Sequence, residues 1–260
     1  MAIRADDVEH LMRTELVRHW DANQLEKEDA RFSAYIRFDA LRVAHILNLL
    51  PKEKPFCVLE VGVGYGDVVA PIAHFFPNAK IFAVEAPGRD YLKSTSFHTM
   101  LEASRTTLEV CDITNSPLPY GDKSFDIITL SEVIEHLPPQ AIPHVLLELH
   151  RILVPHGQLI VTTPNVLRLR NRLRFLAGKN IFDSPAQTIG GTFGHLREYS
   201  QTELFDMIHS ANFDFVEPIF YDVRFPISET VLEKAISKGG AILGHLSARF
   251  QDFICLKATK

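Results

Sequence analysis

Apolar positions follow two rhythms along the chain. In Asp6–His19 and again in Ser33–Leu50 they recur every three or four residues, the period of a helix with one buried face, and Pro51 and Pro55 close this section. From residue 56 onward, short apolar runs with β-branched residues alternate with helical stretches. Strands are predicted at FCVLEVGV (56–63), KIFAVE (80–85), TLEVCDI (107–113), FDIITLS (125–131) and QLIVTT (158–163), and helices over 68–76, 91–103 and 140–153. Beyond Pro164 the pattern predicts a basic amphipathic helix (165–180), a loop (183–194) and a helix (200–212) opened by a Ser200/Glu203 capping box. A strand (213–223), a helical stretch (229–248) and a last strand (251–258) follow. Near-continuous apolar strands separated by helices predict an α/β fold: a doubly wound, mostly parallel sheet of seven strands covered on both faces. Residues 1–50 read as an N-terminal helical extension and 51–260 as one domain, with a lid-like insertion at about 165–199.

Composition narrows the class. A chain of 260 residues that is 46% apolar has enough material for one sizeable core. No apolar run reaches the ~18 residues of a membrane span. The first residues, MAIRADDVEHLMRTE, are charged and lack the apolar heart of a secretion signal, so a cytoplasmic protein is expected. Cys57, Cys111 and Cys255 are widely spaced within apolar runs and read as buried thiols, not as a disulfide or zinc framework. A net charge of −5 gives no general attraction to nucleic acid or to an anionic membrane, although a local basic patch is compatible with it.

The strongest chemical signal is VLEVGVGYGD (58–67), an apolar strand running into Gly62, Gly64 and Gly66 with a helix directly behind. Glycines here permit positive φ and close approach of a ligand to the backbone, and the helix start offers unpaired N–H groups. A dinucleotide fingerprint would place its third glycine at position 67, which is Asp67. A carboxylate there would repel a pyrophosphate, so the loop suits a ligand bearing an ammonium or hydroxyl groups.

Glu60 completes E-x-G-x-G-x-G, which resembles motif I of the class I S-adenosylmethionine-dependent methyltransferases. That resemblance extends to about residues 50–220. It implies a Rossmann-like sheet with an antiparallel last strand and S-adenosyl-L-methionine as cofactor, with Glu60, Gly62, Gly64 and Gly66 around it. It also implies Glu85, at the end of the second strand, for the ribose hydroxyls, Asp112 for the adenine amino group and Ile113 against the ring. LHRILVPHGQLIVTTPN (149–165) is similar to the family's helix–turn–strand element, with His156 where a glycine is common.

SEVIEHLP (131–138) lies directly after the fourth strand, where ligands of open parallel sheets sit. Ser131 and Glu132 should border the methionine part of the cofactor. A helical turn from Glu132 would put Glu132 and His136 on one face. Three readings stay open: Glu135 and His136 orient the turn; His136 is a general base; or a divalent metal binds here. GHLREYSQTEL (194–204) supplies a second histidine, His195. E-x-x-E-H with a later H-x-x-E-Y-S is similar to the metal-binding pattern of small-RNA 3′-terminal 2′-O-methyltransferases. By that resemblance Glu132, Glu135, His136 and His195 are the ligands. E-x-x-E-H also resembles a segment of the O-methyltransferases of ubiquinone biosynthesis.

The basic helix, with Arg168, Arg170, Arg172, Arg174 and Lys179, has either a phosphate-clamping role or that of a solvated face. The helix, its loop and the H-x-R-E-Y-S stretch look like the lid of methyltransferases of glycan and small-metabolite biosynthesis. Tyr35, Arg37 and Arg42 are candidate contacts to cofactor or substrate, with a plain surface role as the alternative. No RNP-type motif and no [DN]-P-P-[YF] tetrapeptide of base or glutamine methylation occurs. A small-molecule or glycan hydroxyl is therefore the expected acceptor, with His136 and His195 activating it and nucleic acid not expected as a partner. A metal-dependent RNA 2′-O-methyltransferase and a non-catalytic cofactor-binding module are the alternatives.

Overall fold

In the computed structural model, residues 2–16, 30–182, 194–221 and 250–260 are described. Helix α1 (Ala5–Leu11) runs into a π turn (Met12–Leu16), and α2 (Ala30–Leu49) carries Ile36, Ala40, Val43 and Leu47 as a buried stripe at helical spacing. The strands are β1 (Cys57–Val61), β2 (Lys80–Glu85), β3 (Thr106–Val110), β4 (Phe125–Ser131), β5 (Leu153–Pro164), β6 (Asp214–Tyr221) and β7 (Phe253–Thr259). Between them lie α3 (Val69–Phe75), α4 (Thr95–Ala103), α5 (Ile142–Ile152), α6 (Leu169–Leu176) and α7 (Gln201–Ser210).

The seven strands form one sheet in the order β3-β2-β1-β4-β5-β7-β6. β1 to β5 pair in parallel, and β7 is antiparallel to both β5 and β6. The chain reverses its direction of winding between β1 and β4, the switch point at which such sheets open a crevice. Alternation along β1 divides the core. Val58 packs on one side with Val8, Leu47, Val69 and Ile72, while Leu59 packs on the other with Leu146, Leu149, Leu204 and Ile208. The N-terminal helices thus share a core with the sheet.

Several sequence expectations change in detail. β5 begins at Leu153 rather than at 158, because Phe125 pairs with Leu153 before the register jumps to Ile127 with Gln158, so residues 154–157 loop out of the ladder. His156 in this bulge has φ +63°, which explains why glycine suits the position. The helix expected over 165–180 is only Leu169–Leu176. Asn165 instead bridges to Tyr199, its Oδ1 accepts from the Leu167 N–H at 3.0 Å, and Gly178 at φ +67° stops the helix. The capping box of α7 forms as expected, with the Glu203 N–H on Ser200 Oγ and the Ser200 N–H on Glu203 Oε2. Cys57 and Cys111 are half-buried and Cys255 is buried, all as free thiols. No described helix is long and apolar enough to cross a membrane. The helical stretch 229–248 and most of the loop 183–194 lie outside the described residues.

Candidate functional site

Strand β1 ends in a loop built on three positive φ angles: Gly62 (+81°), Gly64 (+53°) and Gly66 (+89°). A Cβ on Gly62 would come within 2.5 Å of Val133 Cγ2, so this glycine allows the loop to pack on the segment after β4. At Gly64 only Asp67 Oδ1, at 3.8 Å, lies within reach of a Cβ, so this peptide faces an open cradle. Glu85, at the end of β2, is buried and closes the side of that cradle. Its carboxylate accepts the Gly64 N–H at 3.2 Å and the Ala86 N–H at 2.8 Å, and Arg89 lies 3.5 Å away.

The remaining residues expected around a cofactor are placed unevenly. Ile113 is half-buried beyond the end of β3. Asp112 beside it accepts from the Thr114 N–H, the Thr114 hydroxyl and Asn115, which hold its carboxyl below the usual range. Glu60 is 1% exposed and sits under the glycine loop, accepting a hydrogen bond from Thr129. Burial pushes its carboxyl well above the usual carboxylate range.

Arg42 is the least expected member. It is not a surface residue: at 3% exposure it is buried. Its guanidinium donates to Asp39 Oδ1 (2.9 Å), to Asp67 Oδ2 (2.7 Å) and to the Ser131 hydroxyl, joining α2, the glycine loop and the end of β4. Ser131 in turn bonds Thr162 Oγ1 on β5 at 2.9 Å. Burial pushes the Asp39 carboxyl up to about 7 against the pull of Arg42, and neighbouring Asp67 adds to the rise. Both acids face the single cation of Arg42, which they largely neutralise. Tyr35, two-fifths exposed, and the exposed Arg37 lie further out on α2.

Beyond Ser131 the backbone turns sharply. Glu132 has φ +55°, a left-handed conformation that costs a non-glycine residue on the order of 1 kcal/mol. The helical turn therefore starts later, as a single 3-10 turn at Ile134–His136, and the expected common face of Glu132 and His136 does not form. Glu135, His136 and His195 converge instead, with ligand atoms all within 4.8 Å of one another; Glu132 is outside this group. Glu135 is fully buried. Its Oε2 accepts from Thr163 at 3.0 Å and its Oε1 has no hydrogen-bond partner among the described residues. Burial and the nearby Glu132 hold its carboxyl well above the usual range.

His195 reaches this point because its segment is stitched in place. The Leu196 N–H donates to the Glu135 carbonyl at 2.8 Å, and the Val166 N–H to the Tyr199 carbonyl at 3.1 Å. The His136 and His195 rings meet edge to face at 5.0 Å. His195 Nδ1 lies 3.2 Å from Glu198 Oε1, and Glu198 is gripped by both terminal nitrogens of Arg168, at 2.7 and 2.9 Å. Burial raises the Glu198 carboxyl, but the bonds from His195 and Arg168 outweigh it and hold it below the usual range. Glu198 was not singled out in the sequence; its signal was the H-x-x-E spacing. Arg168, read with the rest of the basic helix as either a phosphate contact or part of a solvated face, is instead committed to Glu198.

With the geometry in view, comparison with known proteins is decisive. The profile of a methyltransferase-domain family matches residues 35–217. This chain belongs to that family. The methyltransferase domain is 31% identical over 160 residues to a probable S-adenosylmethionine-dependent methyltransferase of Mycolicibacterium smegmatis, covering 60% of this chain and 51% of that protein. It is 30% identical over 115 residues to a tRNA N(3)-methylcytidine methyltransferase of Schizosaccharomyces pombe, covering 43% of this chain and 45% of that protein. The chain spans about half the length of these curated relatives. In fold it is similar to a SAM-dependent methyltransferase from Archaeoglobus fulgidus, with a TM-score of 0.56 at 16% identity, covering 85% of this chain and 94% of that one. The domain is thus a member of the class I S-adenosylmethionine-dependent superfamily, and S-adenosyl-L-methionine is its cofactor.

Two predictions follow from the buried charges. Arg42→Ala leaves Asp39 and Asp67 facing each other without a cation and should lower the unfolding free energy by about 3–5 kcal/mol in urea titration. Glu60 has a folded-state value raised above its unfolded one, so its favourable contribution is present at low pH and lost as pH rises. Glu60→Gln should therefore gain stability over wild type by up to about 1.4 kcal/mol per pH unit above the ordinary carboxylate range. Melting curves recorded in parallel at acidic and alkaline pH check the sign.

Proposed function

We propose that this domain transfers the methyl group of S-adenosylmethionine to a hydroxyl oxygen of a small metabolite or of a sugar or glycan precursor. The observation that carries the reading is the pairing of His136 and His195 at the carboxyl ends of β4 and β5, beside the glycine loop. The cofactor supplies an electrophilic methyl on a sulfonium. The open cradle at Gly64, the Glu85 carboxylate and the Asp67 carboxylate beside the glycine loop fit such a group, with Ile113 toward the adenine ring.

The chain then has to orient an acceptor and take its proton. With Nδ1 of His195 donating to Glu198, the basic lone pair belongs to Nε2, so His195 serves as the base. The Arg168–Glu198 pair fixes the ring and favours the imidazolium formed. His136 packs edge-on and lines the acceptor side. The absence of a [DN]-P-P-[YF] tetrapeptide supports oxygen over base nitrogen as the target.

A divalent cation on Glu135, His136 and His195 is a second reading, favoured by their convergence and by the unpartnered Glu135 Oε1. It would serve to lower the pKa of an acceptor hydroxyl. RNA is the alternative acceptor, supported by the activity named for the fission-yeast relative.

Glu85→Ala should weaken S-adenosylhomocysteine binding about tenfold or more in calorimetry, and an unchanged affinity would remove Glu85 from the ribose site. His195→Ala should lower methyl transfer by roughly 10²–10⁴-fold while cofactor affinity stays within about twofold of wild type. The assay pairs labelled S-adenosylmethionine with a panel of sugars, small hydroxy metabolites and tRNA. Transfer to tRNA alone would replace the acceptor class, and activity lost to EDTA and restored by Mn²⁺ would favour the cation.

A further inference from the structure

Helix α6 and the turn after it form a surface that the transfer reaction does not use. Residues 165–182, NVLRLRNRLRFLAGKNIF, hold five cations (Arg168, Arg170, Arg172, Arg174, Lys179) and no acid, within a chain of net charge −5. Among the described residues the three most exposed large apolar side chains are all here: Leu176 at 82%, Phe175 at 72% and Phe182 at 57%. Arg170, Arg174 and Lys179 are exposed around them, whereas Arg168 is turned inward onto Glu198. Exposing a phenylalanine and a leucine side by side in water carries a cost that scattered surface residues do not, and clustered exposed apolar groups mark contact surfaces.

We propose that this face docks on the surface of a lipid bilayer containing anionic lipid. The cations match a negative headgroup layer, to which each contributes about a fivefold gain in partitioning. Phe175, Leu176 and Phe182 match the boundary between headgroups and acyl chains, where aromatic and aliphatic side chains of surface-lying basic helices insert. The charge pattern disfavours a second copy of the chain as occupant, because a self-complementary contact would set cation against cation. RNA is disfavoured because stacking uses aromatic faces, and the most exposed residue is an aliphatic one, Leu176. The surface lies beside the candidate site, since α6 follows β5 and Arg168 at its start holds the partner of His195.

The test is co-sedimentation of the full chain with phosphatidylcholine vesicles and with vesicles containing about one-third phosphatidylglycerol, at about 0.1 M salt. Anionic vesicles should bind at least ~tenfold better. Phe175→Ser with Leu176→Ser, and separately Arg170→Glu with Arg174→Glu, should each reduce that binding by ~tenfold while melting temperature is unchanged. An independent readout is Leu176→Trp, whose emission should shift to the blue on anionic vesicles but not on neutral ones, relative to the parent with its single Trp20. Equal or absent binding to both vesicles overturns the proposal. So does binding of tRNA that needs the arginines but not Phe175 and Leu176, or dimerisation abolished by the serine pair.

Discussion

One buried guanidinium fixes the geometry around the glycine loop. Arg42 brings its charge from α2 into a place almost without solvent, and three separate segments must meet it there: its own helix through Asp39, the glycine loop through Asp67, and the end of β4 through Ser131. A buried cation is tolerable only when its donors are met, so the three segments are fixed relative to one another. The α2 helix is thereby more than an appendage. It shares the core with the sheet.

Left-handed backbone and protonated acids meet at the carboxyl ends of the two central strands. The positive φ angles at Gly62, Gly64 and Gly66 and the left-handed Glu132 all lie where β1 and β4 end. Four acids whose carboxyls are held high, Asp39, Glu60, Glu132 and Glu135, stand in or beside the same zone. Strain and desolvated acids are costly, and the well-packed strands beneath them, with Val58, Leu59, Ile127 and Ile128 essentially unexposed, sustain that cost. At the ends of β4 and β5, the Arg168–Glu198–His195 chain holds the His195 imidazole through its Nδ1. The same end of the sheet therefore carries the Arg42–Asp39–Asp67 ion cluster, the glycine loop and the two facing imidazoles.

The succession of strands and helices, the mostly parallel sheet, the glycine turn after β1 and the place of Glu85 at the end of β2 were legible in the linear pattern, because apolar runs and glycine spacing are local signals tied directly to burial and to φ. Less was legible where a side chain's role depends on a partner far away in sequence. Arg42 read as a candidate contact with a surface alternative, since nothing near it announces Asp67 or Ser131. Arg168 read as either a phosphate contact or part of a solvated face, since its partner Glu198 lies in another segment. Glu132 read as part of a helical turn, since a non-glycine left-handed residue leaves no mark in composition.

The sequence by itself determined the family's sheet, the place of the glycine loop and the presence of two histidines and two acids in the segments that follow β4 and β5. Only the tertiary structure decided that Glu135, not Glu132, joins His136 and His195, and that Glu198 and Arg168 orient His195. The reason is physical: periodicity reports which face of an element is buried, whereas a charged or polar group is placed by whichever opposite partner the fold delivers to it.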